Sequence, residues 1–239
     1  MTDNAMKERG VSPGRALFFG RQGCTHTDRA LQHLRELGFE VATVLSTSRH
    51  EPIPADVQRW EGEYIFCFRS YFFLREALLA RASVAAINFH PGPVEYPGSG
   101  CLNWALYEGA SQYGATAHLM NEKIDNGAIL LCRRFPIAPT DNVGSVLPKT
   151  HQLTYEIMVE ITAGLAQEGA AYLEKRIADS ASERWRGLAR KMVEVDRLQQ
   201  IEPTCTRDEL ERIIRATYTP DFPPEIRLHG YRFLLKLDD

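Results

Sequence analysis

The stretch Ile87–Gly100, INFHPGPVEYPGSG, constrains this chain more than any other. An apolar run from Val84 to Ile87 has the length of a buried strand and gives way at once to Asn88, His90 and a series of Pro and Gly. Pro91 and Pro93 cannot continue a strand, because proline lacks the ladder N–H and restricts the residue before it. Asn88 and His90 therefore fall where the backbone leaves the sheet. In open α/β sheets that carboxyl end is where ligands bind. Residues two apart in an extended segment project to the same side. A side-chain amide able to bond a carbonyl oxygen thus stands beside an imidazole able to move protons. An ordinary strand exit with a capping Asn and a surface His fits the same residues, and the stretch alone leaves both readings open.

The surrounding pattern is that of an α/β sheet. Ala16–Phe19 predicts a strand, and Ala30, Leu31, Leu34 and Leu37 share a helical face that starts at Thr25 or Thr27 and stops at Gly38. Phe39–Leu45 predicts a second strand, and a β-α-β start favours a right-handed crossover into a parallel sheet. The turn Gly20–Thr25 carries Arg21 before a helix N-terminus, a place suited to an anion as well as to a plain tight turn; it is not G-x-G-x-x-G. Further strands are expected at Tyr64–Phe68, Ala115–Leu119 and Ala128–Phe135. Helices are expected at Arg69–Leu79, from Ser99-Gly100 to Gly109, and at Leu147–Leu173. Phe68, Tyr71, Phe72 and Phe73 suit either a core or the wall of a ligand pocket. Asp125-Asn126-Gly127 is turn chemistry in its own right. Charged, irregular sequence over Lys175–Arg197 precedes a helix near Arg207–Thr217. A small hairpin follows, formed by Ile226–Leu228 and Tyr231–Leu235 about His229-Gly230. The division expected is a catalytic domain over 16–174 and a small C-terminal subdomain over 185–239.

Composition narrows the class. With 239 residues, 44% hydrophobic and 25% charged, the chain reads as a globular enzyme. A net charge of −3 argues against nucleic acid as a partner. Cys24, Cys67, Cys101, Cys132 and Cys205 include no C-x-x-C, so neither a structural zinc nor a disulfide framework is expected. Met1–Gly10 has no apolar core of signal-peptide length, and no run approaches a membrane span; a cytoplasmic location without membrane partners is expected.

Taken together, Asn88-x-His90, Tyr96-Pro97-Gly98, the strand Gly114-Ala115-Thr116-Ala117-His118 and Ile124-Asp125-x-Gly127-x-Ile129-Leu130 resemble the formyltransferases that use 10-formyltetrahydrofolate to formylate amines. The resemblance covers residues 16–165 and is strongest for the sugar N-formyltransferase branch. It implies a Rossmann-like, mostly parallel sheet as the formyltransferase core, with a small C-terminal helix and β-hairpin extension. It also implies Asn88, His90 and Asp125 as the catalytic trio. The pterin of 10-formyltetrahydrofolate would lie near Phe72, Phe73, Leu74 and the loop of Asn121, Glu122, Lys123 and Ile124. Pro93, Tyr96 and Gly98 would lie near the acceptor, with Arg21 holding any phosphate it carries. No metal is implied.

The chemistry agrees with the trio. A neutral amine attacking a formyl carbon makes an oxyanion that Asn88 and a cationic His90 would stabilise, while Asp125 raises the His90 pKa. The loop after His90 departs from the usual Pro-Ser-Leu-Leu-Pro form of the family, which leaves the acceptor open. The tail is too short for the barrel of methionyl-tRNA formyltransferases, and no regulatory domain precedes Ala16, which argues against formyltetrahydrofolate hydrolases. The expected acceptor is a nucleotide-linked amino sugar, with the hairpin as a homodimer contact or a lid. The alternatives are a small amine of another kind (amino acid or glycinamide-ribonucleotide-like), a formyltetrahydrofolate hydrolase, and a non-catalytic folate- or nucleotide-binding protein.

Overall fold

In strand β1 (Arg15–Arg21), Ala16 and Phe18 are buried in one core cluster and Leu17 and Phe19 in another. A strand apolar on both sides needs cover on both, the condition of a parallel α/β layer. The structure, a computed structural model, describes residues 12–49 and 51–237, so the reading of Met1–Gly10 lies outside the described residues. Helix α1 (Thr25–Glu36) leads from β1 to β2 (Glu40–Ser46), which pairs parallel to it. Strands β3 (Gly62–Phe68), β4 (Ala82–His90), β5 (Gln112–Leu119) and β6 (Ile129–Pro136) complete a sheet of order β2-β1-β3-β4-β5-β6. The first four strands in that order are mutually parallel, and β5 and β6 are antiparallel additions. This is the mostly parallel α/β sheet expected.

On one face, Phe18, Phe66 and Phe89 pack with Leu34 of α1 and with Ile157 and Ile161 of a long helix, Val143–Glu168. On the other, Phe19, Ile65 and Cys67 pack with Phe72, Leu74 and Leu78. The His90 end of β4 thus opens between two packed layers.

Several boundaries differ from the sequence reading. The helix expected over Arg69–Leu79 is confined to α2 (Glu76–Leu79); Arg69 enters the preceding loop with φ 56, a conformation no right-handed helix continues. After α3 (Cys101–Tyr107), the long helix α4 starts at Val143 rather than Leu147. A capping box sets that start: the Asn142 side chain accepts from the Ser145 N–H, and the Asn142 N–H donates to the Ser145 hydroxyl. It ends at Gly169 (φ 58), after which α5 (Ala170–Asp179) begins. The N-cap of α1 is Cys24, not Thr25 or Thr27; the buried Thr27 hydroxyl instead accepts the Arg21 N–H at 3.3 Å. Part of the region read as irregular is helical, in α5 and in α6 (Met192–Leu198). Helix α7 (Arg207–Thr217) and the hairpin of β7 (Glu225–Leu228) and β8 (Tyr231–Leu234) form where the sequence predicts them. Helix α7 seats on α3, where the Asn103 amide donates to the Ala216 carbonyl at 2.7 Å. Among the described residues, no helix is long and apolar enough to cross a membrane.

Candidate active site

Strand β4 delivers Asn88 and His90 to the carboxyl end of the sheet, and the turn between β5 and β6 carries Asp125 back toward them. The turn comes close because Gly127 lies against β5: a Cβ there would meet the Leu119 carbonyl oxygen at 1.8 Å. Asp125 itself has φ 42, a left-handed conformation that Asp tolerates better than most residues. Its carboxylate gathers the site. Oδ2 accepts the Gly98 N–H at 2.7 Å and lies 3.3 Å from Nδ1 of His90. Oδ1 lies 3.1 Å from Nε2 of His118 and 3.3 Å from the amide nitrogen of Asn88.

His90 and Asp125 are both buried. Nε2 of His90 sits 3.0 Å from the Tyr96 carbonyl, which can only accept, and Nδ1 faces the carboxylate, so both ring nitrogens are placed to donate. Burial opposes charge on the ring, but the Asp125 carboxylate, Cys101 and the Tyr96 carbonyl outweigh it and raise the His90 pKa to about 9. Burial also opposes ionisation of Asp125; His90, His118 and the Gly98 N–H reverse this and hold its carboxyl well below the usual carboxylate range. At neutral pH the centre is an imidazolium–carboxylate pair. Nδ1 of His118 donates to the Leu119 carbonyl at 2.8 Å, which fixes the ring over the pair. Among the described residues, no group of His, Cys, Asp and Glu is arranged to hold a metal ion.

A cavity of about 420 Å³ opens beside Asn88, His90 and Asp125. Of the residues the resemblance links to the donor, Phe72, Phe73, Leu74, Asn121, Lys123 and Ile124 line it, whereas Glu122 is exposed and lies outside its walls. Phe72 also belongs to the core, while Phe73 is 57% exposed. Arg21 and Gly98 line it as well. Pro93 and Tyr96 do not: Pro93 is buried, and Tyr96 packs against Tyr113 and offers its carbonyl to His90.

One wall is cationic. Arg21, Arg49 and Arg69 line it, with the Arg21 guanidinium 4.0 Å and the Arg49 guanidinium 5.2 Å from the centre of the Tyr71 ring. Nε of Arg21 is buried without a hydrogen-bond partner, and among the described residues no carboxylate pairs with any of the three. His151 joins this wall as a neutral ring: burial, then Arg69, His26 and Arg21, push its pKa down to about 3. Arg49, Arg69 and His151 escape the sequence reading, because loops and α4 bring them together from distant positions. The contact of His118 with Asp125 carries a weak signal, since the strand alternation of Thr116 and His118 already sets the ring on one face. Trp185 carries none. Its ring meets His118 and His90 edge-on, with centroids 4.9 and 5.8 Å away, and its indole N–H donates to the Gly127 carbonyl at 2.8 Å.

Comparison with known proteins gives a consistent picture. The family model described as formyl transferase matches residues 20–162, more than half of the chain. The chain is 28% identical to the GDP-perosamine N-formyltransferase of Brucella melitensis over 149 residues, which cover 62% of this chain and 54% of that protein. It spans about half or less of the length of the curated relatives it matches. The fold is similar to that of a sugar N-formyltransferase from Shewanella sp., with a TM-score of 0.69 at 18% identity, covering 93% of this chain and 96% of that one. It is also similar to the N-formyltransferase of Helicobacter canadensis in complex with folinic acid and dTDP-3-aminofucose, with a TM-score of 0.65 at 13% identity, covering 90% and 84%.

Proposed function

We propose that this chain, which belongs to the formyl transferase family, is an N-formyltransferase that moves the formyl group of 10-formyltetrahydrofolate to the primary amine of a nucleotide-linked amino sugar. The observation that carries this reading is the convergence of Asn88 and His90 on the Asp125 carboxylate at the wall of the cavity. The amine nitrogen attacks the formyl carbon, and the new N–C bond turns the carbonyl oxygen into an oxyanion. The Asn88 amide and the positive charge of His90 stabilise that oxygen in a site too buried for water to do so. The bond from carbon to the folate nitrogen then breaks, and the proton lost by the amine is returned to that nitrogen, with Asp125 and His90 as the acid–base pair beside it. Phe72, Phe73, Leu74, Asn121, Lys123 and Ile124 serve the donor's flat ring. Residues 16–174 make up the catalytic unit and 185–239 a small C-terminal one.

The cationic wall supports the choice of acceptor. Three guanidiniums with no carboxylate partner among the described residues suit a diphosphate, whose oxygens accept from Arg in paired geometry. The similarity to a GDP-perosamine N-formyltransferase and to a fold that holds dTDP-3-aminofucose points the same way. The hairpin would meet a second copy of the chain rather than close over the sugar, because its apolar face is exposed.

The test is release of tetrahydrofolate from 10-formyltetrahydrofolate across a panel of nucleotide-linked amino sugars. Release should depend on the acceptor and fall by about 10²–10³ in Asn88→Ala, with the circular dichroism spectrum preserved. Arg69→Ala should raise the acceptor KM about tenfold or more, the worth of a charged hydrogen bond. Formate release without any amine would mean a hydrolase. An unchanged acceptor KM in both Arg21→Ala and Arg69→Ala would remove the diphosphate assignment.

A further inference from the structure

The family match ends at residue 162, yet one wall of the His90–Asp125 centre comes from beyond it. The chain leaves α5 at Ser180, whose hydroxyl donates to the Leu130 carbonyl at 2.9 Å, and runs without helix or strand as far as Lys191. Arg134 of β6 fastens the start of this strap. Its guanidinium donates to Glu183 at 2.8 and 2.9 Å and to Glu95 at 2.9 and 3.2 Å. Farther along, the Arg186 N–H donates to the Val94 carbonyl at 2.9 Å. The Ser99 N–H donates to the Arg190 carbonyl at 2.8 Å, and the Arg190 N–H to the Pro97 carbonyl at 3.2 Å. The strap is therefore paired with the loop that follows His90, the loop that supplies the Gly98 N–H to Asp125.

Between these anchors Trp185 turns inward. It covers the edges of His118 and His90 and bonds the carbonyl of Gly127, two residues after Asp125. Both supports of the Asp125 carboxylate, the Gly98 loop and the Gly127 turn, are thus tied to one segment. We infer that Trp185 is a positioning residue, which holds the Asp125 turn in place against His90, so that the pair stays coupled.

The physical reason is distance. Burial by itself opposes charge on both partners, so the 3.3 Å approach of Nδ1 to the carboxylate keeps His90 protonated, and a retreat of the Asp125 turn weakens that coupling. The titratable groups that face His90 are Asp125 on the β5–β6 turn, Cys101 at the start of α3, and His118 on β5, with Tyr113 behind Cys101. Trp185 adds no charge to this set. Its replacement therefore acts on the pair through the geometry that its N–H and its ring edge impose.

Two variants separate these effects in the full-length protein. Trp185→Phe keeps an aromatic edge against both histidines but loses the N–H to Gly127, and Trp185→Ala loses both. The readout is NMR titration of ring-labelled His90, identified by the signal missing in His90→Gln, together with kcat and KM. In wild type His90 should titrate near 9. In Trp185→Ala it should titrate well below that, toward 6.5, with kcat reduced about tenfold to a hundredfold and KM changed less than threefold. Trp185→Phe should keep a titration near wild type and lose a smaller part of kcat. A folded Trp185→Ala whose His90 titrates as in wild type would overturn the inference. If that variant does not fold, a Trp185→Phe with both kcat and titration unchanged would overturn the bond to Gly127 as a positioning contact. The kinetic arm rests on the formyl transfer reading, whereas the titration needs no substrate and decides the positioning role even if no amine is formylated.

Discussion

Asp125 is the residue on which the site depends, because four groups from three separate segments meet its two oxygens: Gly98 of the loop, His118 of β5, and Asn88 and His90 of β4. That arrangement makes stability depend on pH in a predictable direction. The folded pKa of His90 is raised from 6.5 to about 9, so the pair's contribution is complete below pH 6.5 and fades as pH rises through about 9. The lowered pKa of Asp125 works at the other end: its contribution is present above its ordinary value of 3.8 and is lost only in strong acid. Chemical denaturation at a series of pH values checks this. The stability of wild type relative to His90→Gln should be greatest between pH 4 and 6.5 and should shrink by roughly 2–3 kcal/mol by pH 9. A constant difference would mean that His90 is not held as a cation. Asn88 and His90 are legible in the sequence, because prolines two residues apart end their strand at a known place. Trp185 is not, since nothing near residue 185 anticipates a ring set edge-on against His90, about a hundred residues earlier.

At the level of elements, loops and strand ends decide where these side chains go. Gly98 is the sharpest case. It has φ 92, and a Cβ there would meet the backbone N and O of Arg190 at 2.4 Å. Because the obstacle is backbone, little can give way. Gly98→Ala should destabilise the protein by about 2 kcal/mol or more, read as a shift in denaturation midpoint, and should lower activity by turning the Gly98 N–H away from Asp125. A variant of unchanged stability and activity would show that the strap is not seated on this loop. Sheet strands were legible as short continuous apolar runs, as at Ala16–Phe19, because both faces of the sheet are covered. The stretch from Arg69 to Arg75 was not, because apolar residues at helical spacing there are placed by a loop that docks Phe72 and Leu74 on the sheet. The break at Gly169 was equally hidden, since the apolar pattern of α4 continues past it.

For the molecule as a whole, the C-terminal hairpin is the part without a visible role in the cavity. Register pairs Ile226 with Phe233 and Leu228 with Tyr231, so these four side chains share one face. Tyr231 is 72% and Phe233 55% exposed. The opposite face is tied by Glu225 to Arg227 and Arg232. A two-stranded sheet with an uncovered apolar face is marginal in water, and a second copy of the same face would cover it. Light scattering should therefore find a dimer in wild type and a monomer in Tyr231→Ser/Phe233→Ser, with the cavity chemistry intact. A wild-type monomer would remove this contact.

What the sequence determines by itself is whatever depends on near neighbours. The apolar strand runs, the proline exit after His90, the turn at Asp125 and the hairpin about His229-Gly230 are all set by residues within a few positions of one another. Packing across the chain decided the rest: that His118 and Asn88 share one carboxylate, that Arg21 and Arg49 meet at Tyr71, and that Trp185 closes over His90. Those contacts join segments far apart in the chain. Their geometry follows from how the layers pack and where loops end, which local propensity does not encode.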